Sequence, residues 1–272
     1  MKDSIVKVAL HGVPRSGTSW IGEILNSSPY TCYCYQPLFS YSFKDYLTPS
    51  SSLKDIDNFF SEISKTDDDF VKQLKKRELG AFPDFKKESS THIVYKEVRY
   101  INILLNLMRK SSDLHLCALI RNPLGVIDSW LRAPREFRAD LGWSELDEWR
   151  YALKKNINKP EEYNGYEKWK EAAFIFHHLK TKYPERVHIL KYIDFVKNPY
   201  QEASLLFKKL GLVMTESTKN FLDMSTSRTS TDPYSVYRDV QDDIKWKKHL
   251  NPIIVEQVYK DLEGSFLREY LL

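Results

Sequence analysis

The sequence predicts an α/β fold in which a central parallel sheet of the P-loop type is flanked by helices on both faces and carries a helical insertion. The first observation is that short apolar runs alternate with helical patterns along the 272 residues. The second is the segment 8–20, VALHGVPRSGTSW, where an apolar run meets a glycine-bearing loop that opens directly into a helical pattern. Strand, loop and helix N-terminus in that order are typical of phosphate-binding loops. The third is the run 114–120, LHLCALI, which suits a central strand covered on both faces.

The individual elements follow from apolar periodicity and from the residues that interrupt it. We predict strands over 5–10, 31–35, 92–95, 114–120 and 187–192. We predict helices over 18–26, 100–109, 124–131, 145–156, 161–182, 199–210 and 252–263. Pro37 ends the second strand because proline has no backbone N–H to donate. Gly211 ends the helix predicted over 199–210 because glycine readily adopts the left-handed conformation found at helix C-termini.

The segment 40–90 differs in character from the rest of the chain. It combines runs of serine and of charged residues with amphipathic stretches that include Phe59, Phe60 and Ile63. These features indicate one or two solvated helices. We interpret the segment as a helical insertion or lid inside a single domain over 1–272.

Composition limits the class of protein. Apolar residues make up 42% of the chain, enough for the core of one ordinary domain. The net charge of +4 suits an anionic small ligand and is too small to argue for a nucleic-acid partner. No apolar run approaches the roughly 20 residues of a membrane-spanning helix, so we expect no integral membrane segment. The N-terminus leads directly into the strand that bears the loop, and cleavage would remove part of that strand, so we expect no signal peptide. We expect Cys32, Cys34 and Cys117 to be reduced and buried, which favours a cytoplasmic location.

The glycine-bearing loop differs at one position from the loop of nucleoside triphosphatases. Gly12 and Gly17 have the spacing of G-x-x-x-x-G-K-[ST], but Thr18 stands where that lysine would reach the β- and γ-phosphates of ATP. Arg15 is the only cation in the loop. The sequence therefore predicts a phosphate site that is not built for ATP.

Several segments resemble sulfotransferases that use 3′-phosphoadenosine-5′-phosphosulfate (PAPS). P-R-S-G-T-S-W at 14–20 resembles their 5′-phosphosulfate loop, and the wider segment 15–39 is most similar to carbohydrate and tyrosylprotein sulfotransferases. L-I-R-N-P-L-G-V-I-D-S-W at 119–130 resembles the segment that binds the 3′-phosphate. L-K-Y-I-D-F at 190–195 and the basic segment 237–248 resemble two further family segments, the latter loosely.

The resemblance implies that the chain uses PAPS as a co-substrate and needs no metal. The cofactor-binding residues that it implies are Arg15, Ser16, Gly17, Thr18, Ser19, Trp20, Arg121, Ser129, Tyr192 and Arg238. The predicted catalytic residues are Arg15 and Lys96, beside the transferring group, and Gln36, beside the acceptor. These residue types suit their roles, because loop N–H groups and planar guanidinium forks bind phosphate oxygens.

The sequence does not identify the general base. The resemblance implies a glutamate at position 36 or a histidine at position 98, but the chain has Gln36 and Val98 there. A glutamine accepts a hydrogen bond and cannot take a proton at neutral pH. The remaining candidates are Glu97, which should point away from Lys96, and His11, Glu136 and Asp140.

The expected acceptor is a small molecule or glycan, most consistent with a carbohydrate hydroxyl. Tryptophan faces and a basic stripe are the only clues to it, and both also occur in ordinary cores and solvated helices. These residues are Trp130, Trp143, Trp149, Trp169, Arg132, Arg135 and Arg138. Two alternatives to the sulfotransferase remain: a nucleotide-binding protein that has lost catalysis, and a P-loop kinase acting on a small molecule. The oligomeric state is not predicted.

Overall fold

A five-stranded parallel sheet forms the centre of the computed structural model, which describes residues 5–228, 234–237 and 242–271. The strands are β1 (Val6–His11), β2 (Thr31–Tyr35), β3 (His92–Glu97), β4 (Leu114–Ile120) and β5 (Val187–Lys191). Their order across the sheet is β2-β3-β1-β4-β5, and all four neighbouring pairs are parallel. The predicted fold class is therefore confirmed.

Helices cover both faces of the sheet. They are α1 (Thr18–Asn26), α2 (Leu53–Lys65), α3 (Asp69–Lys72), α4 (Leu74–Glu78), α5 (Leu104–Lys110), α6 (Pro123–Leu131), α7 (Glu145–Glu148), α8 (Leu153–Asn156), α9 (Tyr166–Lys182), α10 (Tyr192–Lys197), α11 (Pro199–Leu210), α12 (Glu216–Ser227) and α13 (Pro252–Asp261). Because successive side chains of a strand point to opposite faces, β1 contributes to two separate cores. Val8 and Leu10 join the core beneath α1, α11 and α12, and Ala9 joins the core beneath α5, α6 and α9.

The segment between β2 and β3 contains α2, α3 and α4, as expected of a helical insertion. α2 begins with a capping box, in which the side chains of Ser52 and Asp55 satisfy each other's backbone N–H groups. Its apolar face, which includes Phe59 and Ile63, is buried in the main core. α3 and α4 are separate because Gln73, between them, adopts a left-handed conformation with φ of 56°.

Two helix predictions require correction. The helix predicted over 145–156 is two short helices, α7 and α8, because Ala152 between them has φ of 49°. The side chain of Asn156 donates to the carbonyl oxygens of Tyr151 and Asn164, which stabilises this turn. The helix predicted over 161–182 begins only at Tyr166, after Gly165 with φ of 87°.

Smaller differences occur at other boundaries. The helix predicted over 100–109 starts as a 3-10 turn, Ile101–Ile103, before α5. Tyr192 begins α10 rather than ending β5. No helix among the described residues is long and apolar enough to cross a membrane.

Candidate active site

The loop after β1 is shaped by two left-handed residues. Arg15 has φ of 71° and Gly17 has φ of 94°. α1 begins immediately afterwards, at Thr18, so the N–H groups of Thr18 and Ser19 point out of the helix N-terminus and form an anion-binding end. A Cβ atom on Gly17 would lie 2.6 Å from Cε2 of Tyr192, so only glycine allows this tyrosine to pack against the loop.

Ser16 differs from the other predicted loop residues. Its hydroxyl donates to the carbonyl oxygen of Val13 at 2.8 Å, and its backbone N–H donates to the same oxygen at 3.2 Å. The side chain is fully buried and does not line the cavity beside the loop. Ser16 therefore stabilises the loop from inside, and its hydroxyl does not face the cavity, although Ser16 is among the predicted cofactor-binding residues.

Arg121 follows the end of β4 and lies beside the loop. Its Nη1 donates to the carbonyl oxygen of Arg15 at 2.8 Å, and its Nε and Nη2 donate to both carboxylate oxygens of Asp243. The guanidinium carbon also lies 4.8 Å from the centre of the Tyr192 ring. Burial acts to lower the pKa of Arg121, but Asp243 beside it raises that pKa above its ordinary value, so the group is a permanent cation.

Ser129 and Trp20 are held by neighbours on the same side of the loop. Ser129, on α6, accepts a hydrogen bond from Nε of Arg15 at 3.1 Å. The indole N–H of Trp20 donates to Oγ of Ser225 at 2.9 Å, and its ring packs edge-on against Tyr192. Predicted cofactor residues from β1, β4 and β5 thus meet at one end of the cavity.

Lys96 and Gln36 lie on the other side of the loop, at the ends of β3 and β2. The side chain of Lys96 is 2% exposed, and its ammonium lies 4.4 Å from the centre of the Tyr35 ring. Burial lowers the pKa of Lys96 to about 7, despite the opposing influence of Glu97. Gln36 donates its backbone N–H to the carbonyl oxygen of Lys96, and its side-chain Oε1 is buried without a partner. A buried acceptor atom without a donor is costly unless a ligand supplies one.

A single cavity of about 390 Å³ joins the two sides. Among the described residues, its lining contains one carboxylate, Glu136, and seven basic side chains: Arg15, Lys76, Lys96, Arg99, Arg121, Arg135 and Lys155. Such an excess of positive charge in a concave site favours a ligand with several negative charges. The end beside Gln36 is also aromatic, with the rings of Tyr35, Phe39, Phe70 and Phe82.

The structure separates the four candidates for a general base. His11 is fully buried, contacts the hydroxyl of Tyr95, and has its pKa lowered to about 3 by burial. Glu97 points away from the cavity, as expected, and accepts from the N–H of Val98. Asp140 is exposed and pairs with Arg138. Glu136 alone of the four lines the cavity, with Oε1 3.7 Å from Nη1 of Arg15.

Most of the predicted site residues come together in this cavity. Those among the described residues that line it are Arg15, Gly17, Thr18, Ser19, Trp20, Gln36, Lys96, Arg121, Ser129 and Tyr192. Arg238 lies outside the described residues. Lys247 and Lys248 belong to a 3-10 turn and do not line the cavity.

The two sequence clues to the acceptor give different results. Trp130, Trp149 and Trp169 are core residues with at most 3% exposure, and Trp143 packs against the same core. The basic stripe divides, since Arg132 pairs with Asp128 and Arg138 with Asp140, whereas Arg135 reaches the cavity.

Two candidate functional residues, Tyr234 and Asp243, were not predicted from the sequence. The ring of Tyr234 lies between two cations, 5.0 Å from the guanidinium of Arg15 and 5.1 Å from that of Arg135. Asp243 carries the ion pair with Arg121. Both come from a polar segment without periodicity, so no pattern singled them out. No group of three or more His, Cys, Asp or Glu side chains within the described residues could hold a metal ion.

Comparisons with known proteins identify the family. The family model for a sulfotransferase domain matches residues 6–265. None of the curated proteins matches the chain. The sulfotransferase domain from the curacin biosynthetic pathway is 16% identical, with coverage of 96% of this chain and 98% of that chain and a TM-score of 0.53. A mouse sulfotransferase complexed with PAP is 15% identical, with coverage of 98% and 86% and a TM-score of 0.52. Since the family match extends from the start of β1 to beyond the end of α13, this protein belongs to the sulfotransferase family.

Proposed function

We propose that the protein moves a sulfuryl group from PAPS to the hydroxyl group of a small acceptor, giving PAP and a sulfate ester. The observation that carries this proposal is the cavity beyond the strand ends, whose described lining has seven basic side chains and one carboxylate around a helix N-terminus. PAPS carries negative charge at both its 3′ and 5′ ends, which suits this lining. It supplies the sulfuryl group and a phosphate leaving group.

The order of the strands supports placing the two substrates on opposite sides of the loop after β1. Arg121 and Tyr192 follow β4 and β5, so the nucleotide would lie there, with its 5′ end at Arg15 and Gly17. Lys96 and Gln36 end β3 and β2, so the acceptor would lie on that side. The transferring group would then sit between Arg15 and Lys96.

Arg15 and Lys96 suit the charge that moves during transfer. As the sulfuryl group leaves, negative charge develops on the phosphate, and fixed cations aimed at it lower the barrier. Each such group is worth roughly 3–4 kcal/mol where comparable donors have been removed. The burial of Lys96 keeps water away from its ammonium and strengthens this interaction.

The acceptor hydroxyl would be held by Gln36 and deprotonated by Glu136. The unpartnered Oε1 of Gln36 can accept the hydroxyl hydrogen bond and thereby orient the nucleophile. Glu136 is the carboxylate that reaches the cavity among the described residues, and its neighbour Arg15 keeps it next to the transfer site. We assign the proton transfer to Glu136 on this ground.

The variant Glu136→Gln tests this assignment. A glutamine cannot take a proton, so kcat should fall by about 100-fold while the affinity for PAP changes little. The loss should shrink as the acceptor becomes more acidic, because a phenol that ionises below neutral pH needs no base. Asp140→Asn is the matched control, since Asp140 is exposed and outside the cavity. A uniform loss across phenols of different pKa would remove Glu136 from this role.

A carbohydrate hydroxyl remains one acceptor hypothesis, because aromatic rings stack on the C–H faces of sugars. A flat aromatic or polycyclic hydroxyl is the alternative that the lining favours, since the rings of Tyr35, Phe39, Phe70 and Phe82 line the cavity together with the amide of Gln36. Competition between simple sugars and phenols at equal concentration, with sulfated products measured by mass spectrometry, distinguishes the two.

Ligand-induced stabilisation tests the nucleotide part of the proposal. A ligand that binds only the native state raises the melting temperature, so PAP without metal should stabilise the protein more than ATP with magnesium. The reverse order would favour the kinase. Stabilisation by PAP without transfer to any acceptor would favour a protein that binds the nucleotide and has lost catalysis. A cytoplasmic location is part of the proposal and is supported by three free cysteines.

A further inference from the structure

The ammonium of Lys72 lies between two thiol groups on the edge strand of the sheet. Its Nζ is 3.4 Å from Sγ of Cys32 and 3.4 Å from Sγ of Cys34, and it donates to the carbonyl oxygen of Ile63 at 3.0 Å. Lys72 is the last residue of α3, and both cysteines belong to β2. No carboxylate in the described part of the chain lies within ion-pair distance of Lys72, so its charge must be balanced by sulfur or left uncompensated.

Burial distinguishes the two sulfur atoms. Cys34 is fully buried, and its Sγ lies 3.1 Å from the carbonyl oxygen of Ile63. Cys32 is partly exposed, and its Sγ lies 3.6 Å from the carbonyl oxygen of Ser64. Lys72 is partly buried, where a nearby negative charge stabilises an ammonium, so a thiolate at Cys32, the more exposed of the two sulfur atoms, is the arrangement that balances the group.

The groups around Cys32 also favour its thiolate form. A hydrogen bond from Cys34 and the charge of Lys72 lower the pKa of Cys32 to about 6, against the effect of burial. Burial raises the pKa of Cys34 well above its usual range. The remaining charge that acts on Cys32 is Lys87, which lowers its pKa further and is itself held by the oxygens of Asn26 and Ser28.

We propose that Cys32 is a modification site, a thiolate paired with Lys72 that reacts with small oxidants such as hydrogen peroxide. The sulfur attacks one peroxide oxygen, an S–O bond forms and the O–O bond breaks. The thiolate is oxidised to a sulfenic acid, and the hydroxide that leaves takes a proton from solvent to become water. The partial exposure of Cys32 gives peroxide access, whereas Cys34 and Cys117 are buried.

This modification would act on the acceptor side of the cavity, an effect that rests on the proposed function. A neutral sulfenic acid no longer balances the ammonium of Lys72, which anchors the end of α3 on β2. Phe70, on α3, lines the cavity and lies 5.7 Å from the ring of Tyr35, measured between ring centres. Oxidation should therefore raise KM for the acceptor several-fold and leave the affinity for PAP unchanged.

Alkylation by iodoacetamide as a function of pH tests the thiolate directly, with each cysteine followed by peptide mass spectrometry. Cys32 should react with a midpoint near pH 6, while Cys34 and Cys117 stay unreactive in the folded protein. Lys72→Met should move the midpoint upward, toward the value of about 8.5 for an ordinary thiol. Lys75→Met is the matched control, because Lys75 is exposed on the neighbouring α4 and should leave the midpoint unchanged. A native midpoint at or above about 8.5 overturns the proposal even if Lys72→Met does not fold.

Peroxide treatment followed by trapping with dimedone tests the modification and its effect. The adduct should appear on Cys32, and Cys32→Ser should form none. Acceptor KM should rise in the oxidised native protein and stay constant in treated Cys32→Ser. A trapped sulfenic acid with unchanged KM overturns the effect on the acceptor side. PAP-induced stabilisation, measured on the same samples, reports on the proposed function separately.

Discussion

Asp243 holds Arg121 through both carboxylate oxygens, with Nε to Oδ2 at 2.9 Å and Nη2 to Oδ1 at 2.5 Å. Arg121, whose segment resembles a 3′-phosphate site, is therefore already paired with an anion of the chain. The remaining nitrogen, Nη1, donates to the backbone of Arg15. A phosphate that approaches Arg121 must share the guanidinium with Asp243 or displace it.

The first prediction follows from this competition. Asp243→Asn removes the negative charge but keeps the size of the side chain, so PAP should bind several-fold more tightly at low salt. Adenosine 5′-phosphosulfate lacks the 3′-phosphate, and its affinity should change much less. Calorimetric titration of both ligands into both proteins provides the measurement. Weaker binding of PAP would show that Asp243 positions Arg121 for the ligand rather than competing with it.

The second prediction concerns the pH dependence of nucleotide binding. Burial lowers the pKa of Lys96 to about 7 in the free protein, and an anionic ligand beside it should raise that pKa. Binding therefore takes up a proton above pH 7, and the affinity for PAP should fall as pH rises from about 7 toward 9. Titration calorimetry in buffers of different ionisation enthalpy measures the proton uptake.

Two variants control this experiment. Lys96→Met should bind PAP with almost no pH dependence. Its kcat should fall far more than its affinity for PAP, because the charge of Lys96 is needed most when negative charge develops on the leaving phosphate. Lys76→Met removes another cavity lysine, an exposed one, and should keep the dependence. Constant affinity of the native protein across this range would contradict the role given to Lys96.

The third prediction concerns Gly17. Gly17→Ala places a Cβ atom 2.6 Å from the ring of Tyr192 on a residue with φ of 94°, so the ring or the loop must move. Stability should fall by more than about 1 kcal/mol, and PAP should bind at least tenfold more weakly. Urea unfolding and titration calorimetry measure the two effects.

Gly142→Ala separates collision from backbone strain. Gly142 has φ of 71°, and no heavy atom lies within 4 Å of its added Cβ. The Gly142→Ala variant should be less stable by about 1 kcal/mol and should keep its affinity for PAP. Equal binding losses in the two variants would mean that the contact between Gly17 and Tyr192 has no role in the site.

The fourth prediction concerns Gln36, whose buried Oε1 lacks a partner. Gln36→Ala should lower kcat/KM for the acceptor about tenfold, as expected for one lost hydrogen bond in a buried site, without changing PAP affinity. Gln36→Glu in the Glu136→Gln background should restore part of kcat, since a carboxylate then returns to the acceptor side. If Gln36→Ala matches the native enzyme in every parameter, the acceptor lies elsewhere.

The sequence predicted the elements with unbroken patterns and missed those decided by tertiary contacts. β2, β4, α1 and α11 have the predicted bounds because their apolar runs end at clear turn residues. The break at Ala152 is stabilised by hydrogen bonds from the side chain of Asn156 to the carbonyl oxygens of Tyr151 and Asn164. Apolar periodicity contains no information about such bonds. Propensity is a weak guide where such contacts override it.

The candidate site was predictable to the extent that parallel strands bring their carboxyl ends together. Arg15, Gln36, Lys96, Arg121 and Tyr192 lie at or just after the ends of the strands, and all five line the cavity. The rule gives no information on side-chain direction, so the inward hydroxyl of Ser16 was missed. The rule also gives no information on segments that do not follow a strand directly. For this reason Tyr234 and Asp243 were not predicted, and Glu136 was one of four candidates for the general base.

Apart from Glu136, the side of the cavity proposed to bind the acceptor comes from one continuous stretch of chain. Its residues, from Tyr35 through the insertion to Arg99, include the four aromatic rings, Gln36 and Lys96, whereas the loop, Arg121, Ser129 and Tyr192 come from before and after it. Substitutions of the four aromatic rings in this stretch should therefore alter which hydroxyl compound fits and leave the proposed nucleotide contacts in place. On the proposed arrangement, acceptor choice can change through the insertion and its flanking strands while the loop after β1 and Arg121 stay the same.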